Sequence, residues 1–176
     1  MKDLFIIPEC YIDTNLVETL IATEGCNHQK GCNTVVNTMK RRFGDKFAVG
    51  IIDHDKRQVG YVSEFIEIAH TDSLSLKKHK DNFHYLIMIS PAMDGFILKC
   101  ADELEIHVEE YGFSSCLKSF TSITKSITSK DDPNFKKLFK VLRKSSEMVI
   151  LKKWLEYLKC NQYRCDVEIL KRMTLN

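Results

Sequence analysis

The chain has 176 residues, 44% hydrophobic and 28% charged, which suits one folded domain with a sizeable core and excludes both an intrinsically disordered chain and two large domains. With 26 Lys and Arg against 24 Asp and Glu, the formal net charge is +2, so no global field favours nucleic acid, and polyanion binding requires a local patch. No apolar run approaches the roughly 18 residues of a membrane span, and the run at the start is too short for a signal peptide, so a cytoplasmic protein without a membrane partner is expected.

In chain order, Leu4 to Ile7 reads as a strand that meets Pro8 and Glu9. A helical pattern follows with Leu16, Val17, Leu20 and Ile21 on one face, and Asp13 or Thr14 is placed to cap it. Val35, Val36 and Met39 continue as a second helix into Lys40, Arg41 and Arg42, with Gly44 as its stop. Phe47 to Ile52 is an almost unbroken apolar run, the pattern of a strand covered on both faces in a parallel sheet, and it ends in Asp53, His54 and Asp55. Tyr61 to Ala69 reads as helical, Ser73 to Lys77 and Tyr85 to Ser90 as strands, and Met93 to Leu104 as a helix. From about Ser114 the composition shifts to Ser, Thr and Lys, with helical patterns at Leu117 to Ile127, Phe135 to Leu142 and Val149 to Leu158. Asp131, Asp132 and Pro133 form the clearest break, because proline disfavours helix before it and opens the next one. The expected division is an α/β domain over 1–112 and a helical C-terminal region over 113–176 packed on it.

Ligands of open α/β sheets collect outside the carboxyl ends of the strands, and the acidic groups fall there. Glu9 follows the first apolar run, and Asp53 and Asp55 follow the third element two residues apart, so both point the same way from an extended segment. Converging carboxylates repel unless a cation sits among them, and a set of hard oxygen ligands suits magnesium or manganese. Each acid also has a plainer reading, with Asp53 and Asp55 as turn residues, Glu9 as a solvated loop acid and Asp13 as a helix cap.

The order of these features resembles the Toprim domain of topoisomerases, bacterial primases, recombination factors and the overcoming-lysogenization-defect nucleases. Leu4 to Leu20, with Glu9 and Asp13, is similar to that family's strand, glutamate, nearby aspartate and helix, although Cys10 stands where a glycine is usual. Lys30-Gly31-Cys32-Asn33 is similar to the family's glycine-containing turn, and Phe47 to Asp55 to its strand and Asp-x-Asp motif. The resemblance covers roughly the first 100 residues. It implies a Toprim-like fold, a mainly parallel central sheet flanked by helices, here with a helical C-terminal extension.

The function it implies is metal-dependent phosphoryl transfer, as a nuclease of DNA or RNA, in a phage-defence or mobile-element setting. Magnesium or manganese would be held by Glu9, Asp13, Asp53 and Asp55. Glu9 would serve as acid or base, with Asp94 as a further acidic member of the site. His28, Gly31, Asn33 and Lys56 are the candidate phosphate contacts, and the basic runs at 40–42, 56–57 and 77–80 read either as a cationic rim or as solvated faces. A separate protein partner or a homo-oligomer is also expected. The alternative is a non-catalytic binding module for a nucleotide or a protein, which Cys10 and the lack of an evident catalytic lysine favour; a receiver-like phosphoacceptor fits less well.

The seven cysteines are odd in number and lie mostly among apolar neighbours, as expected of free thiols. Cys26, His28 and Cys32 offer soft ligands, but they lack the paired Cys-x-x-Cys spacing of a zinc site.

Overall fold

The computed structural model describes residues 2–21, 23–54 and 60–175. Strand β1 (Ile6–Pro8) leads into helix α1 (Tyr11–Leu20), and α2 (Cys32–Thr38) runs through a π-helical turn at Met39–Phe43 into β2 (Ala48–Asp53). Gly44, at φ 57, takes the left-handed conformation that stops this second helix. Strands β3 (Phe65–His70), β4 (Leu74–His79) and β5 (His84–Ile89) follow, and α3 (Met93–Glu103) leaves the end of β5. The remainder is helical: α4 (Leu117–Thr124), α5 (Pro133–Leu142), α6 (Ser146–Asn161) and α7 (Val167–Arg172). Asp132 caps α5 by accepting the Asn134 N–H at 2.7 Å, and Pro133 opens the helix, as the sequence break implies.

The strands form one sheet in the order β1-β2-β5-β4-β3. β1, β2 and β5 are mutually parallel, as the apolar runs ending near Ile7, Ile52 and Ile89 predict. The expectation of a mainly parallel sheet is corrected, because β4 pairs antiparallel with both β5 and β3 and the sheet is mixed. Tyr61 to Ala69 also differs from the helical expectation: a 3-10 turn at Gly60–Glu64 gives way to β3, which carries a register shift between Glu67 and Ala69. That irregularity adds a residue to the local count and blurs the period-two pattern, so strand and helix look alike over so short a span.

Both faces of the parallel strands are covered. Val49, Ile51, Tyr85, Ile87 and Ile89 face a core shared with α1, α3 and the later helices, including Phe120, Phe135 and Trp154. Ala48, Ile52, Leu86 and Met88 face a smaller core under Val35, Val36 and Met39. Two covered faces explain the unbroken apolar runs of β2 and β5. Residues before and after position 113 lie in the same larger core, and Phe113 stacks on Phe135 at 4.0 Å between ring centroids.

Two measurements test this packing. A Cβ at Gly50 would lie 2.7 Å from Met39 Sδ, 2.9 Å from Leu86 Cδ1 and 3.1 Å from Val35 Cγ1. These three side chains are fully buried and have no room to swing away. Gly50→Ala is therefore expected to cost about 1–3 kcal/mol in urea unfolding.

Buried His84 places Nδ1 2.7 Å from the Tyr61 hydroxyl, and burial, reinforced by His79, pushes its pKa from 6.5 down to about 4. The folded chain thus binds fewer protons here than the unfolded chain between those values. The stability His84 confers is complete above pH 6.5 and declines as pH falls toward 4, by on the order of 3 kcal/mol. Comparing unfolding free energies across this window should show a shallower acid-side decline for His84→Phe than for the parent.

Candidate functional site at the carboxyl edge of the sheet

Parallel pairing brings the carboxyl ends of β1, β2 and β5 to one edge, and α1 and α3 both begin there. Glu9 lies just beyond β1, and Asp53 is the last residue of β2. The two meet directly: the Asp53 N–H donates to Glu9 Oε2 at 2.9 Å. Asp53 Oδ1 in turn accepts the Met93 N–H at 2.9 Å, satisfying a first-turn amide of α3. Asp94, next along α3, accepts a hydrogen bond from the Thr124 hydroxyl at 2.6 Å.

Asp13 is buried and engaged locally. Its Oδ2 accepts the Cys10 N–H at 3.1 Å and its Oδ1 accepts the Cys10 thiol at 2.8 Å, a capping box with cysteine in the place of serine or threonine. The expectation of Asp13 or Thr14 as the cap is corrected: the helix begins one turn earlier, Cys10 is the N-cap and Asp13 is its third residue, and the three-residue spacing from Cys10 to Asp13 is the signal in the sequence. Burial and the adjacent Asp13 carboxylate push the Cys10 thiol far up, so it stays protonated and serves as a donor.

The electrostatics show how closely the acids lie. Burial, then the charges of Asp53 and Glu9, hold Asp13 well above the ordinary carboxylate range. Asp53 is also raised, chiefly by burial and further by Glu9 and Asp94, against the lowering effects of the Met93 N–H and of Lys125. Lys125 follows α4 and was not anticipated, since nothing local in the sequence connects it with β2. Thr124, which anchors its neighbourhood to Asp94, is equally distant in sequence.

Of the expected phosphate contacts, His28, Gly31 and Asn33 fall among the described residues. His28 Nδ1 lies 3.0 Å from Thr14 Oγ1, and its ring stacks on Tyr11 at 4.4 Å. Its pKa is lowered by burial. Gly31, at φ 86, precedes α2 and donates its N–H to the Glu9 carbonyl at 3.2 Å, which ties the glycine turn to the carboxylate edge. Asn33 is exposed in the first turn of α2. Asp55 and Lys56 lie outside the described residues.

The basic run at 56–57 lies outside the described residues, and the other two do not gather round this edge. Lys40 pairs with Glu64 at 3.3 Å and lies over the Tyr61 ring. Because β4 runs antiparallel to β5, Leu74 sits opposite Ile89 while Lys78 sits opposite Tyr85, so the run from Lys77 to Lys80 leads away from Asp53.

Among the described residues, no three His, Cys, Asp or Glu side chains are grouped to hold a metal ion. Glu9 and Asp53, linked through the Asp53 backbone N–H, carry oxygen ligands of the kind that hard divalent cations take. All seven cysteines are free thiols, Cys26 and Cys32 included. Among the described residues, no helix is long and apolar enough to cross a membrane. Comparisons with protein-family models, with curated proteins and with solved structures give no match.

The raised Asp53 fixes the sign of one test. A carboxyl with a raised folded-state pKa contributes stability that is present below its unfolded pKa of 3.8 and lost as pH rises through the folded value. In EDTA, Asp53→Asn removes that loss while its amide oxygen can still accept the Met93 N–H. The variant is expected to melt at or above the parent temperature at pH 8 and to lose this advantage near pH 4.

Proposed function

We propose that the chain is a metal-dependent phosphoryl-transfer protein of Toprim-like fold, a nuclease acting on DNA or RNA with magnesium or manganese. The observation that carries this reading is the meeting of Glu9 and Asp53 at the ends of adjacent parallel strands, with the Asp53 N–H on Glu9 Oε2 at 2.9 Å. Burial, then the charges of Glu9 and Asp94, raise Asp53, and a divalent cation bound there would offset that crowding. Asp53 and Asp55 are the residues that would hold the ion, which supplies polarisation of a phosphate oxygen when bound. Glu9, oriented by its hydrogen bond to β2, is the group that moves a proton. Asp94 is held by Thr124 in the first turn of α3.

A second reading, a binding module without catalysis, is favoured by one observation. Both oxygens of Asp13 are engaged by Cys10, so this acid serves the helix start.

Thermal melts and cleavage assays separate the readings. Millimolar magnesium or manganese is expected to raise the melting temperature of the parent, as any ligand of the native state must, and to do so much less for Asp53→Asn. Glu9→Gln is expected to keep the metal-induced rise while losing magnesium-dependent cleavage of DNA or RNA. A metal-induced rise with no cleavage by the parent supports the binding module, and a melting temperature unmoved by either ion contradicts both.

A further inference from the structure

The opposite edge of the sheet carries a different chemistry. Phe5, Phe47 and Phe83 each immediately precede one of the three parallel strands, so the parallel register sets them in a row at the amino edge. Backbone bonds fix the row: Ala48 N–H donates to the Phe83 carbonyl at 3.2 Å, and Val49 N–H donates to the Phe5 carbonyl at 2.8 Å. Phe5 and Phe47 meet edge to face at 5.4 Å.

Tyr163 crosses this row from the end of α6. Its ring lies 6.0 Å from Phe47 and 5.1 Å from Phe83, and its hydroxyl accepts the Phe47 N–H at 3.1 Å. The turn that delivers it passes through Gln162 at φ 46, a left-handed conformation that a residue with a side chain adopts at a cost. Phe83 and Tyr163 nonetheless remain 43% and 51% exposed, and Leu4 beside them 54%. Leu4 and Tyr163 border a recess of about 330 Å³ that Lys2 and Lys46 also line, with no carboxylate among the described residues lining it, and Phe83 adjoins it through its contact with Tyr163.

Open rings at Phe83 and Tyr163, beside a recess lined by lysines and by no carboxylate among the described residues, form a surface on which bases stack while phosphates meet cations. An acidic protein segment would use the lysines but has no need of a row of rings. We propose that this amino edge binds single-stranded nucleic acid, with bases against Tyr163 at the recess and the adjoining Phe83, and phosphates at Lys2 and Lys46. The site is separate from the carboxylate edge and does not rest on the activity proposed there.

The test is fluorescence anisotropy with fluorescein-labelled oligothymidylate in EDTA, which keeps metal-dependent chemistry out of the measurement. The parent should bind saturably. Phe83→Ala and Lys46→Glu, both at exposed positions, should each weaken binding by about fivefold or more. Lys137→Glu, the same charge change at an exposed position on α5, should bind as the parent does. Absence of saturable binding by the parent, or equal affinity in both variants with native melting temperatures, overturns the proposal. Duplex DNA bound as tightly and without dependence on Phe83 also overturns it. So does Phe83-dependent capture of a glutamate-rich peptide with no binding of oligothymidylate. Phe83-dependent binding by a parent that cleaves no nucleic acid upholds the recess and contradicts only the nuclease reading.

Discussion

The hydrogen bond from the Asp53 amide to the Glu9 carboxylate fastens the ends of β1 and β2, and much of the carboxyl edge is arranged around it. Two helices start at this edge, and each brings first-turn amides that need acceptors. Asp13 takes the Cys10 N–H before α1, and Asp53 takes the Met93 N–H at the start of α3. The carboxylates therefore do structural work, and the positive ends of the helices partly offset their charge. Burial and mutual repulsion still win, because both Asp13 and Asp53 remain raised.

The C-terminal helices contribute to this edge as well as to the core. Thr124 is fully buried and binds Asp94, while the buried side chain of Asn15 in α1 donates to the carbonyls of Ser129 and Asp132 at 2.8 and 3.3 Å. These bonds seat the stretch between α4 and α5 against α1 and α3. They bring Lys125 near enough to lower Asp53, in opposition to Glu9 and Asp94. The charge balance at the edge is thus set by segments more than 100 residues apart along the chain, from Glu9 to Lys125.

The parallel strands were legible because burial on both faces leaves an unmistakable apolar run, and their abrupt acidic ends located Glu9 and Asp53. The antiparallel half was harder. β3 has an irregular register, and β4 alternates Leu74 and Leu76 with Ser75 and Lys77, a pattern that gives a strand but not its direction. The basic run at its end reads either as a rim or as a solvated face until that direction is known. Thr124 and Lys125 had no local signature, since their place depends on how the helices pack. The row of Phe5, Phe47 and Phe83 was present in the sequence but acquires meaning only from parallel register.

The central claim is that Glu9 and Asp53 share one crowded site that a divalent cation relieves. The most direct measurement is a carboxyl-carbon NMR titration of Asp53, first in EDTA and then with magnesium. The expected result is a midpoint above the ordinary carboxylate range without metal, displaced downward when magnesium is added. A midpoint in the ordinary range, unmoved by magnesium, would contradict the account and leave Asp53 as a cap for α3.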